Sequence, residues 1–443
     1  MSGTGRPGYE ERAYWHATTP ALPSYAGAPL PARVDVAVVG GGYTGVSAAL
    51  HVARGGASVA VLEAETLGWG ASTRNGGMVH PGLKWGPRTL RARYGAELGD
   101  RLYRATVDAF DLVETLVRDE AIDCDYVRSG HLSLAWTPAH AAWHEAQLAE
   151  IAPFGMSGRA VPRERLPEEI GTDHYYGGLV IDQSGGLHPG RYFAGLATAA
   201  ARAGATLCER AGVRAVEREP GGFRLRTDRG ELRCGEVILG TNGYTGGAVP
   251  WLQRRVIPIG SYIIAPEPLD PAVAAEVSPK GRIFFDSKNF LYYWRVLPDR
   301  RMMFGGRASF RHTTIARTAA ILSRAMAEVH PRLAGVRVDY AWGGNVAFTF
   351  DRMPHLGRRE GITYALGYCG SGVALATGFG RTAAEVVLRG IDAVRPPFAE
   401  IPYPGAPVSE RFYGGDPWFL PLVGEWFRLR DRWGRARARA FAG

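Results

Sequence analysis

Gly40, Gly42 and Gly45 follow the apolar run Val34, Val36, Val38 and Val39 and form a G-x-G-x-x-G spacing. A strand that enters a glycine turn and leaves as a helix holds a pyrophosphate well. Gly40 permits the tight turn, Gly42 lets a phosphate approach the backbone, and Gly45 lets helix and strand pack closely. Tyr43 and Thr44 sit in the turn, where the helix N-terminus offers free N–H groups and partial positive charge. A second apolar run, residues 58–62, ends at Glu63 and Ala64. A carboxylate there can accept hydrogen bonds from ribose hydroxyls. Strand, glycines, helix, strand and acid in that order point to a dinucleotide.

Three further stretches suit the same ligand. Residues 67–78 contain four glycines among small polar residues, including Ala71, Ser72, Thr73, Arg74, Asn75, Gly76, Gly77 and Met78. Ser72 and Thr73 can bond a phosphate, and Gly76 and Gly77 permit close approach to a flat ring. The run 237–239 enters a glycine turn that places Thr241 and Gly243 beside the nucleotide. A last strand, residues 362–367, leads through Gly370, Ser371 and Gly372 into a helix from Val373 to residue 388. A nicotinamide domain needs one strand–turn–helix. A flavin protein commonly uses a second, whose helix N-terminus faces the reactive ring.

The elements that must position these turns are readable in outline. Residues 1–32 form an extended lead-in. Residues 90–119 predict one or two amphipathic helices, 126–136 a strand with a possible bulge at Gly130-His131, and 138–151 a helix. A helix over 190–203 and a strand pair over 212–227 follow. Residues 253–265, 282–285, 290–296 and 301–306 read as strands, and 315–329 as a helix. The division this suggests is a dinucleotide-binding domain from 33–89, 186–247 and 336–395, with a substrate domain from 90–185 and 248–335. A C-terminal extension with a basic tail, 396–443, would close the chain.

Composition sets bounds. The 443 residues, 46% hydrophobic and 21% charged, describe an ordinary globular protein. The net charge of +9 is spread along the chain, with arginine dominant and lysine only at positions 84, 280 and 288. The arginines of 428–439 cluster; such a tail can touch nucleic acid or anionic lipid, but it reads first as a solvated, frayed terminus. The four cysteines, Cys124, Cys208, Cys234 and Cys369, show no metal spacing and suit a reducing compartment. With no signal core or long apolar run, a cytoplasmic location without integral membrane association is expected.

Over residues 9–430 the sequence resembles the D-amino-acid-oxidase superfamily of flavoproteins. The likeness rests on 38–45, on 70–77, on 351–357 (Asp-Arg-Met-Pro-His-Leu-Gly) and on 367–373. The run 70–77, the lead-in 14–18 and residues 293–295 and 304–307 resemble the γ-glutamylputrescine oxidase branch. The resemblance implies an α/β fold: a Rossmann-like FAD-binding domain of glutathione-reductase type with an inserted, sheet-rich α+β substrate domain. It implies FAD at the turns above, with Val213 near the adenine and Gly370–Val373 at the pyrimidine end of the ring. Sarcosine-oxidase relatives attach flavin through a cysteine before the Asp351-like position. Residues 342–347 have none, so non-covalent FAD is expected. Those relatives also hold a substrate carboxylate with a lysine after the last turn, where this chain has Val373, Ala374 and Leu375.

The implied chemistry is oxidation of a C–N bond. A neutral amine gives a hydride to flavin N5, and the imine hydrolyses, with molecular oxygen or another acceptor taking the electrons. Tyr262, Tyr292, Trp294 and Trp342 are candidate cavity walls, and Arg307 a candidate for a substrate carboxylate. His80 and His131 can lie near the ring; Lys84, Lys288 and Arg74 are candidate cations for oxygen. No metal site is expected. Rival readings are a flavin-dependent tRNA-modifying enzyme, suggested by a pI near 9.5, a flavin-bound redox sensor and a nicotinamide dehydrogenase. Dispersed basic residues and the lack of an RNA-binding module argue against nucleic acid. The oligomeric state and the particular amine are not specified.

Overall fold

The computed structural model describes residues 8–20, 24–306, 313–407 and 413–440. Its architecture follows from two sheets of opposite character. In the first, Arg33–Val39 lies between Val59–Leu62 and Gly230–Leu239, parallel to both, and Ile362–Leu366 continues beyond Gly230–Leu239 in parallel. Thr206–Cys208 closes one side, and the antiparallel His355–Arg359 closes the other. Val36, Ala37, Val38 and all of Val59–Leu62 are buried, as a parallel sheet covered on both faces requires.

Helix Tyr43–Arg54 packs along helix Gly372–Arg389, and glycine makes that approach possible. A Cβ on Gly380 would lie 2.5 Å from the Thr44 carbonyl oxygen and 2.6 Å from Ser47 Cβ. One on Gly45 would meet the Gly40 carbonyl oxygen. The amphipathic stretch after residue 86 is two helices, Pro87–Tyr94 and Ala96–Asp119, parted at Gly95 with φ +84°.

The second sheet runs Val338–Phe348, Ile257–Pro266, Met302–Gly306, Tyr292–Val296, Ile283–Asp286, His131–Leu134, Gly178–Ile181 and Gly158–Val161. All its pairings are antiparallel except that of Ile283–Asp286 with His131–Leu134. Helix Ile315–Val329 covers one face, burying Trp294, Phe284, Phe304 and Ile264 beneath Leu322 and Met326. The segment 336–395 is thus divided: Val338–Phe348 pairs along Ile257–Pro266, while the rest belongs with the first sheet.

The lead-in is tied down by Trp15, which is fully buried and donates from Nε1 to the Asn75 carbonyl at 2.7 Å. The arginine-rich end is also ordered, against the expectation of a frayed tail. It forms helix Leu420–Ala440, held because Asp431 accepts the N–H groups of Asn289 and Phe290, both at 3.1 Å. Among the described residues no helix is long and apolar enough to cross a membrane.

Gly380→Val should cost about 3 kcal/mol by forcing the two helices apart. Urea unfolding should show a lower midpoint; an unchanged midpoint would mean that this approach is not a constraint.

Candidate functional site

Three strands of the first sheet end at one edge, and each opens into a glycine turn. Their carboxyl ends converge on a cavity of about 720 Å³, within the usual range for a cofactor site. Gly40, Gly42, Tyr43 and Thr44 line it from the first turn, and Glu63 and Ala64 from the end of the neighbouring strand. Thr241 comes from the turn after Gly230–Leu239, and Val213 from the start of strand Val213–Glu219. Gly370, Ser371, Gly372 and Val373 present the N-terminus of helix Gly372–Arg389.

Glu63 is shaped for more than one task. Its Oε2 accepts the Gly41 N–H at 2.7 Å and its Oε1 accepts the Glu65 N–H at 2.9 Å. Burial raises its pKa above the ordinary carboxylate value, and these main-chain donors oppose that rise. Its remaining lone pairs can accept from ribose hydroxyls.

The loop after Gly70 is a built cradle. Ser72 Oγ accepts the Tyr43 N–H at 2.9 Å, and a Cβ on Gly42 would stand 2.9 Å from that same oxygen. Asn75 Nδ2 donates to the carbonyls of Ala71 (3.1 Å) and Ser72 (2.8 Å), while its Oδ1 accepts the Gly77 N–H at 2.8 Å. Arg74 donates to the Trp69 and Gly343 carbonyls and lies 4.9 Å over the Trp69 ring. Ala71, Ser72, Arg74, Asn75, Gly76 and Met78 line the cavity.

Other predicted cofactor residues stand one layer back. Gly45 packs beneath the first turn, and Thr73 is buried with its hydroxyl on the Gly68 carbonyl and His16. Gly77 takes φ +67°, and Gly243 lies close to the Asn345 carbonyl.

Alternation corrects the aromatic candidates. Successive side chains of a strand point to opposite faces, and Tyr262, Tyr292 and Trp294 fall on the face toward helix Ile315–Val329. Trp294 is 0% exposed and stacks on Phe284 and Phe304, so it walls no cavity. Trp342 lies on the other face but is buried, donating from Nε1 to the Arg74 carbonyl at 2.9 Å. The walls are Ser261, Phe285, Leu291 and Tyr293. Tyr293 lies against Gly76 and shares a 3.0 Å hydrogen bond with Ser261. Arg307 lies outside the described residues.

The cations separate clearly. Lys84 lines the cavity beside Gly370, whose Cβ, if present, would be 3.8 Å from Nζ. Lys288 does not line it; it is buried away from the turns, 3.0 Å from Asp286 and 3.3 Å over the Tyr292 ring. His80 lines the cavity and His131 stands behind it, its ring 4.7 Å from Phe285. Burial lowers the pKa of both imidazoles.

Sequence reasoning missed Arg295. It is buried under the cradle, donating to the Gly76 and Leu187 carbonyls, and burial lowers its pKa to about 10. Its position one residue from Tyr293's neighbour Trp294 was the available signal: it shares the cavity-side face with Tyr293.

Residues 35–386 match the family described as DAO, FAD dependent oxidoreductase. The chain belongs to this family. It is an FAD-dependent oxidoreductase, and the cavity fits the cofactor: glycine turns at three strand ends, an acid at the end of a fourth strand and a second helix N-terminus. Among relatives, a probable oxidoreductase OrdL of Rhizobium meliloti is 33% identical, covering 96% of this chain and 98% of its own. The gamma-glutamylputrescine oxidoreductase of Escherichia coli is 33% identical, covering 90% of this chain and 93% of its own. In fold, the crystal structure of glycine oxidase from Geobacillus kaustophilus superposes with a TM-score of 0.67 at 23% identity, over 86% of this chain and 98% of that one. The rival tRNA-modifying, redox-sensor and nicotinamide readings find no support.

Asn75→Ala removes three hydrogen bonds that shape the cradle. It should weaken FAD retention by roughly ten- to a hundredfold, read by flavin fluorescence on reconstitution. Unchanged retention would show that the loop does not bear on the cofactor.

Proposed function

We propose that the protein oxidises the C–N bond of an amine, with an N-substituted or γ-glutamylated polyamine as the substrate class. The observation that carries this reading is the chamber before helix Gly372–Arg389. Phe285, Leu291 and Tyr293 wall it, whereas the lining acids, Glu63 and Glu65, stand on the strand-end side beside Gly41. An ammonium in such a chamber has no carboxylate to compensate it, so the amine binds uncharged.

Bound FAD supplies the two-electron acceptor for hydride from the carbon bearing the nitrogen. The chain's own groups bind and orient. Tyr293, anchored to Ser261, and the apolar side chains beside it hold the substrate and exclude water. His80 Nδ1 donates to the Pro81 carbonyl at 3.0 Å. That carbonyl can only accept, so Nε2 carries a lone pair able to accept a hydrogen bond from the N–H of the uncharged amine and orient it. The product imine is hydrolysed by water. Molecular oxygen or another acceptor removes the electrons, and Lys84 is the lysine positioned at the cavity.

FAD is held non-covalently in this reading, since Cys369 is buried with Sγ 3.2 Å from the Gly367 carbonyl and no cysteine lines the cavity. Four buried free thiols support a reducing, cytoplasmic setting. In this reading the FAD-binding unit comprises 33–89, 186–247 and 336–395 less the strand Val338–Phe348, which pairs within the sheet of the substrate unit of 90–185 and 248–335. Helix Ala96–Asp119 is an exception in that unit, since it packs in the core of the first sheet, where a Cβ on Gly378 would lie 2.6 Å from that of Ala109.

Denaturation should release all of the flavin into a filtrate; colour retained on the unfolded chain would contradict non-covalent binding. The pH dependence follows from direction. His80's pKa lies below its ordinary value of about 6.5, so its imidazole is neutral above that pH and charges only below. The rise of kcat/KM at higher pH should therefore track the substrate's amine and move with the substrate. His80→Phe should lower kcat/KM about tenfold or more. A limb that stays fixed across amines of different pKa would overturn the proposed binding of the free amine.

A further inference from the structure

Helix Leu420–Ala440 has two faces with different fates. Toward the protein, Leu420 is buried and the Asp431 main-chain carbonyl accepts the Trp136 Nε1–H at 3.1 Å. Arg435 lies 4.3 Å over the Trp136 ring and donates to the His174 carbonyl at 2.6 Å. The helix is thus fixed in orientation. Its outer face carries Leu422, Trp426, Leu429 and Trp433, which are 71%, 58%, 45% and 64% exposed. At 3.6 residues per turn these four fall within an arc of roughly 60°. Isolated exposed apolar residues are ordinary, but a stripe of two tryptophans and two leucines is not.

Charge says what covers it. Arg430 and Arg437 flank one side of the stripe and Arg432 the other, all exposed. Glu425, the acid nearest the stripe, bonds Arg428 at 2.8 Å. Tryptophan and leucine flanked by arginine is the pattern of a helix lying in a lipid interface. The apolar side chains enter the acyl boundary, the indoles sit at headgroup depth, and the guanidinium groups meet anionic headgroups. A second copy of this chain fits less well, because antiparallel self-pairing would set the Arg430 and Arg437 side of one helix against the same side of the other.

We propose that this helix face docks the protein on an anionic lipid surface. The face is separate from the cofactor cavity, so docking and catalysis are measured independently. The same helix also grips the loop that leads into Leu291 and Tyr293, through Asp431 on Asn289 and Phe290. A lipid-bound helix would therefore hold the chamber wall from outside.

The test is flotation of the flavin-loaded protein with vesicles of phosphatidylcholine, with and without roughly one third phosphatidylglycerol. Retention on the anionic vesicles, falling as salt rises, is expected. Trp426→Ser with Trp433→Ser, and separately Arg430→Glu with Arg437→Glu, should each weaken it by at least about tenfold. Amine oxidation in vesicle-free buffer should be unchanged in both variants. No retention would overturn the proposal, as would retention indifferent to both variants. A concentration-dependent dimer in sedimentation, lost in the tryptophan variant and accompanied by no vesicle retention, would assign the face to a second copy and equally overturn it.

Discussion

Where parallel strands end together, their last main-chain groups have no partner in the sheet, and something polar must meet them. In this protein that constraint is concentrated at one edge. Arg33–Val39, Gly230–Leu239 and Ile362–Leu366 run side by side and end together, each in a glycine turn. The absence of side chains there leaves room for a long ligand. The N-termini of helices Tyr43–Arg54 and Gly372–Arg389 add partial positive charge from two directions. The cradle of 70–78 exists to close the remaining side. It is held by Asn75 from within, by Trp15 from the lead-in and by Arg295 from the second sheet.

The second sheet contributes by its faces. One is spent on helix Ile315–Val329, where Trp294, Phe284 and Phe304 form a stacked apolar layer. The other turns Tyr293 and Phe285 toward the cavity and sets Arg295 beneath Gly76. A buried guanidinium without a carboxylate in contact is expensive unless its donors are satisfied. Here Nε and Nη2 of Arg295 are taken by the Gly76 and Leu187 carbonyls of the loops that shape the site. Structural and functional demands on this strand are met by alternate residues.

Legibility in the sequence divides along physical lines. The cofactor turns were readable because only glycine tolerates their geometry and proximity, so Gly40, Gly42 and Gly370 announce themselves. Helix 315–329 was readable from period alone. Alternation in 290–296 was also visible, but it defines two faces without saying which one meets the ligand. Tertiary packing makes that choice, and it turns Tyr262, Tyr292 and Trp294 toward helix Ile315–Val329. Strand Val338–Phe348 was hidden by Gly343 and Gly344, poor strand formers that a pairing partner stabilises. The last helix was masked by its arginines. Leu422, Trp426, Leu429 and Trp433 carried the helical spacing, but charge density suggested a solvated end.

The central claim is that one cavity holds FAD and presents an uncharged amine to it. An anaerobic titration of the purified protein with γ-glutamylputrescine, followed by absorption, tests this most directly. The account predicts a flavin spectrum that bleaches stoichiometrically as the amine is added. A yellow protein that neither this amine nor related N-substituted amines bleach would contradict the amine reading. A colourless protein that FAD cannot reconstitute would contradict the site itself.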